Sequence, residues 1–186
     1  MSKTYNLVLI AISAALITVC SWISIPLGPV PFTLQTMAIL AILMSIGGAR
    51  GTVAIAVYLL MGLVGLPVFA GFKGGPSAFI GPTGGFLIGF IIAGLVYFML
   101  EKLIFSRLKS DYKHRILWGI LNSLAFEIVL YTVGVIWFIV VYGRQTGPIG
   151  LAAVIGMCVV PFIIPDIVKL VIAVMIGERA GKLVRK

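Results

Sequence analysis

From Leu7 to Ile25 the chain reads LVLIAISAALITVCSWISI, without one charged side chain. About 20 apolar residues coiled as a helix match the hydrocarbon thickness of a bilayer. Apart from a closed barrel, only a helix pairs its own backbone N–H and C=O groups in a medium without water. The constraint recurs along the sequence. Further apolar runs cover Thr33–Ile46, Thr52–Leu66, Phe86–Leu100, Ile116–Tyr142 and Phe162–Gly177. With 61% hydrophobic and 10% charged residues and a mean hydropathy of +1.22, a soluble globular core is excluded. The expectation is an all-α integral membrane protein, residues 1–186 forming a single domain of six transmembrane helices. Leu7–Ile25 is too long for a signal-peptide core, and no small-x-small cleavage site follows it, so it reads as a span. The two short runs after it suit either a re-entrant hairpin or two upright helices.

Basic residues set the orientation. With six spans, one side holds Lys3, Arg50, Lys102, Arg107, Lys109, Lys113, Arg115, Arg179, Lys182, Arg185 and Lys186, and the other only Lys73 and Arg144. Both termini are therefore expected in the cytoplasm. The same asymmetry accounts for the net charge of +9 through topology and attraction to anionic lipid, so nucleic acid is not needed to explain it.

Charges inside the apolar runs need a separate reason. Asp166 and Lys169 lie in Phe162–Gly177, and each costs roughly 2.5–3.5 kcal/mol at mid-membrane. Their spacing puts both on one face of a helix. Pro165 suits a first helical position, which would place Asp166 in the first turn near the positive end of the helix dipole. The pair offers acceptors beside donors, fitted to an amide, a urea or a zwitterion; the plainer alternative is an ion pair locking two helices. Glu127, in Ile116–Tyr142, is either a proton or cation site or a carboxyl satisfied by burial, Asn122 or Tyr131.

Four irregular segments fall on the outer side: the stiff loop Pro26–Pro31, the glycine-rich connection Val68–Gly85, the loop Gly143–Pro148 and a break expected at Pro161–Asp166. Their convergence implies a pocket opening outward. Thr33 and Gln35 border the first loop. Thr83 is placed to cap the helix that follows the glycine-rich connection. Catalytic chemistry finds no support. The single His114 sits among charged residues, no Cys/His cluster has metal-ligand spacing, and no GxSxG or GxxxxGK[ST] motif occurs. Cys20 and Cys158 both lie in apolar runs and read as plain buried hydrophobes. On the first span, Ala11, Ala14, Ala15 and Thr18 form a small-residue face suited to close helix approach.

PVPFTLQT at Pro29–Thr36, GLPVFAG at Gly65–Gly71, GPTGGFLIGF at Gly81–Phe90 and the run Pro161-Phe162…Pro165-Asp166…Lys169 together resemble the BioY family, the biotin-binding S components of energy-coupling factor (ECF) vitamin transporters. The resemblance covers nearly the whole chain. It implies a six-helix S-component fold with biotin bound near the outer face, under the first outer loop. It implies polar contacts from Asp166 and Lys169, and pocket positions at Thr33, Gln35, Thr83, Gly84 and Gly85. Phe32 and Phe86 are placed to supply apolar walls for such a ligand, and Tyr131 either packs against a ring or anchors at the outer interface. It also implies that Ala11 and Ala15 face the transmembrane coupling subunit, with two ABC-type ATPases beneath. Phe86 stands where the family commonly has Tyr, and Ile164-Pro165-Asp166 where Pro-Gly-Asp is common. The resulting expectation is a biotin-uptake subunit of the plasma membrane, not an enzyme, with no metal and no cofactor beyond the ligand. The alternative is a self-sufficient ion-coupled carrier using Glu127.

Overall fold

The computed structural model describes residues 2–105 and 112–184. Arg107, Lys109, Asp111, the side chains of Lys113, His114 and Arg115, and the terminal Arg185 and Lys186 lie outside the described residues. The described chain is helical apart from one short ladder and its connections. Helix α1 (Lys3–Trp22) starts at Ser2, whose hydroxyl accepts from the Tyr5 amide at 3.2 Å. It gives way before Ile25, because Ser24–Ile25 forms strand β1 and pairs antiparallel with β2 (Phe32–Thr33), Ser24 opposite Thr33 and Ile25 opposite Phe32. The proline-rich loop is thus the tip of a small hairpin. Pairing satisfies backbone groups that the prolines prevent a helix from satisfying.

Helix α2 (Gln35–Ile46) is buried along nearly its whole length, with Ile39, Leu40 and Leu43 fully enclosed. A helix apolar on every side belongs in a protein interior. Its neighbours are α1, α3 (Gly48–Leu63) and the long last helix. Gly47, at φ 90°, turns the chain between α2 and α3 in a conformation that a side chain would strain. The first amide of α3 donates to the Glu101 carboxylate, an anion placed where the helix dipole favours one.

The connection after α3 is pinned rather than loose. Trp22 Nε1 donates to the Pro67 carbonyl at 2.8 Å, and Ser21 Oγ donates to that of Val68. Phe69 lies against Gly62, where any Cβ would fall inside its ring, and meets Tyr58 and Phe79 edge-on at 5.4 and 5.5 Å. A 3-10 turn at Ala70–Phe72 and the single-turn α4 (Ser77–Ile80) follow. Helix α5 (Gly84–Phe105) packs along α6 (Tyr112–Thr146). At 35 residues, α6 rises about 50 Å, well beyond a hydrocarbon core of about 30 Å. It therefore consumes most of the loop expected at Gly143–Pro148.

The final region departs most from the sequence expectation. Helix α7 (Leu151–Cys158) ends at Val159, and α8 runs from Val160 to Val184 with Pro165 inside it. Pro161, not Pro165, takes the early helical position where a missing N–H costs nothing. The break falls on Val159, at φ −122° and ψ −57°, and Asp166 sits in the second turn of α8 instead of the first. α8 lies close on α2: a Cβ on Gly177 would come within 2.5 Å of Met44 Cβ.

Among the described residues, four helices are long and apolar enough to cross a membrane: Lys3–Trp22, Gly84–Leu103, Ile116–Thr146 and Val160–Val184; α2 and α3 are shorter apolar helices. Large apolar side chains crowd the outside of the bundle, including Leu7, Ile12 and Leu16 of α1, Leu124 and Ile128 of α6, and Val168 and Val171 of α8. In water that surface would drive aggregation; against lipid tails it is the expected solution.

Candidate functional site

A cavity of about 480 Å³ opens where the hairpin tip, the start of α2, the glycine-rich connection and the upper parts of α5, α6 and α8 meet. Its volume falls within the range of about 300–1,000 Å³ typical of small-molecule sites. Pro29, Val30 and Pro31 close one side. Phe69, Ala70, Lys73, Gly74, Ser77 and Ala78 close another. Phe86, Leu87, Phe90, Leu130 and Phe162 supply apolar walls. The loop that follows α6 contributes no lining residue, and Pro161–Asp166 reaches the wall from within helix α8, so two irregular segments converge rather than four.

The polar end is built on α8. Lys169 Nζ stands 2.7 Å from Asp166 Oδ1, and both side chains line the cavity. The other carboxylate oxygen, Oδ2, accepts the Tyr131 hydroxyl from α6. Lys169 Nζ also lies 3.9 Å from the centre of the Phe32 ring, a cation–π contact made from β2. The pair is 6% and 12% exposed, so neither charge is solvated in the ordinary sense. The helix start does not hold Asp166. An ammonium and a phenol hold it, one donor on each oxygen, and a carboxylate has acceptor capacity for more.

Of the residues singled out from sequence, Asp166, Lys169, Gln35, Thr33, Thr83, Phe86 and Tyr131 come together on the cavity wall. Phe32 is not on the wall; it stands behind Lys169. Gly84 and Gly85 are also off the wall. A Cβ on Gly84 would lie 1.8 Å from the Phe79 carbonyl oxygen, and one on Gly85 would lie 2.1 Å from Trp137 Cβ. They let α5 approach the connection and α6, while Trp137 Nε1 donates to the Gly81 carbonyl at 3.0 Å. Gln35 is 4% exposed, and its Nε2 has no hydrogen-bond partner among the described residues. A buried amide donor left unmade costs about 1–3 kcal/mol, and here it borders the cavity, where a ligand acceptor would satisfy it.

Glu127 lies one turn below Tyr131, 8% exposed, with neither carboxylate oxygen hydrogen-bonded among the described residues. Asn122 donates instead to the Tyr97 carbonyl, and Tyr131 to Asp166. Neither satisfies Glu127, and Glu127 is not on the cavity wall. The small-residue face of α1 is split: Ala14 and Thr18 are buried, whereas Ala11 and Ala15 face outward.

Sequence reasoning passed over Lys73, Ser77, Thr36, Leu130 and Phe162, all on the wall. Lys73 and Ser77 lie in a connection without helical period, so no pattern assigned them a direction. Phe162 was visible as the aromatic one turn before Asp166 on the same helical face.

A model of the BioY family matches residues 1–186. The chain belongs to the BioY family. Among BioY relatives, the biotin transporter BioY of Thermotoga maritima is 40% identical, over 96% of each chain. The probable biotin transporter BioY of Pyrococcus horikoshii is 37% identical, over 95% of this chain and 96% of that one. The crystal structure of an S component for biotin from an ECF-type ABC transporter superposes with a TM-score of 0.80 at 27% identity, covering 98% of this chain and 95% of that one. The BioY fold therefore extends over the cavity and every segment that frames it.

Proposed function

We propose that this BioY chain is the biotin-binding S component of an ECF-type transporter, a transport subunit and not an enzyme. A buried acid–base pair opening onto a small-molecule cavity, in a chain of the BioY family, carries the reading. Biotin's ureido ring presents N–H donors beside a carbonyl. Asp166 accepts from the former and Lys169 donates to the latter, while Gln35, Thr33 and Thr83 supply further polar contacts and Tyr131 fixes the carboxylate. Phe86, Val30 and Phe162 enclose the thiophane ring and alkyl chain. Phe32 positions Lys169, and Gly84 and Gly85 set the wall by close packing.

In this reading α1, α2, α3, α5, α6 and α8 are the six membrane helices, with both termini cytoplasmic in the plasma membrane and the cavity toward the outside. The outward Ala11 and Ala15 dock a transmembrane coupling subunit, and two ABC-type ATPases supply the energy. Support for a self-sufficient carrier is weaker, since Glu127 is off the cavity wall. Proteoliposomes decide between them. Labelled biotin should accumulate only when the coupling subunit and ATPases are co-reconstituted with ATP. Accumulation by this chain alone under a proton gradient overturns the subunit assignment.

A further inference from the structure

We infer that Lys73 recognises the ligand's carboxylate and makes the site selective for a monoanion. This rests on the biotin reading and assigns the far end of the same ligand. The cavity wall carries one carboxylate, Asp166, and two ammonium groups, Lys73 and Lys169. Lys169 is already matched by Asp166 at 2.7 Å and by the Phe32 ring. Lys73 makes no side-chain hydrogen bond or ion pair among the described residues, so the wall holds one uncompensated positive charge.

Its position is fixed by the backbone. The Phe69 amide donates to the Lys73 carbonyl at 2.9 Å, closing a turn through Gly71 at φ 69° and Phe72 at φ 58°. Phe69 anchors that turn in the core against Gly62 and Tyr58. Gly74 fits where a Cβ would strike the Leu66 carbonyl at 2.2 Å. The exposed cation is thus held on the connection, at the solvent side of a site whose buried polar end is Asp166–Lys169. A ligand with a neutral ureido head and an anionic tail matches both ends and cancels the excess charge. Lys169 is then left for the ureido carbonyl.

The test compares biotin with its primary amide, which keeps the ring system and loses the charge, by calorimetric titration of the detergent-solubilised full chain. Wild type should prefer biotin by about 3- to 10-fold, the scale of one partly solvated ion pair, and added salt should narrow the preference. Lys73→Gln should abolish the preference by weakening biotin alone, its unchanged amide affinity reporting an intact fold. Lys73→Arg should keep the preference. Equal wild-type affinity for both ligands, or equal weakening of both by Lys73→Gln, overturns the inference while leaving the biotin reading intact. Failure of the folded wild type to bind either ligand overturns both.

Discussion

Replacing the two charges of α8 singly and together separates their part in folding from their part in binding. Lys169→Met leaves Asp166, 12% exposed, with only the Tyr131 hydroxyl. An uncompensated buried charge of this kind costs about 3–5 kcal/mol. Asp166→Asn leaves Lys169, 6% exposed, over the Phe32 ring. That contact returns about 0.5–2 kcal/mol, so the loss should be nearer 2–4 kcal/mol. If the two acted independently, the double change would cost the sum, about 5–9 kcal/mol. Because each charge is the other's main partner, Asp166→Asn with Lys169→Met should instead fall within about 1–2 kcal/mol of wild type. The assay is reversible denaturation in detergent, followed by biotin binding on the same samples. All three variants should lose binding by a factor of about 30 or more, since a truncated buried charge partner costs 2–5 kcal/mol. A double variant as unstable as the sum refutes the pairing. A stable double variant that binds like wild type refutes the ligand role of the pair.

Tyr131→Phe removes only the hydroxyl that donates to Asp166. It should lower the melting temperature by several degrees, the scale of a hydrogen bond to a charged group in a chain of this size, and weaken biotin binding in a titration of the folded protein. Glycines on and off tight contacts should behave oppositely in thermal melts. Gly84→Ala forces a methyl against the Phe79 carbonyl and should cost about 1–3 kcal/mol. Gly156→Ala, in α7 with open space around it, should gain about 0.5–1 kcal/mol.

The helices were legible because lipid allows few alternatives: a long uncharged run must satisfy its own backbone. The ends were less legible, since local competition sets them. Ser24–Ile25 reads as the tail of an apolar helix until β2 is present to pair with it. Pro165 reads as a helix start until Pro161 is seen to occupy that position one turn earlier. For the site, Asp166 and Lys169 announced themselves by cost alone, and spacing placed them on one face. Lys73 carries no such signal, because an exposed lysine in a glycine-rich segment looks like any solvated charge. Gly84 and Gly85 fell in the right motif for a different reason than expected. Their lack of side chains admits the Phe79 backbone five residues earlier and Trp137 of α6, and the second contact joins segments far apart in sequence.

The most direct measurement is a density map of this protein saturated with biotin. The account predicts the ureido ring against Asp166 and Lys169, the apolar body between Val30, Phe86 and Phe162, and the carboxylate toward Lys73. An empty cavity with the ligand elsewhere, or Asp166 and Lys169 engaging only each other while biotin is bound, would contradict it.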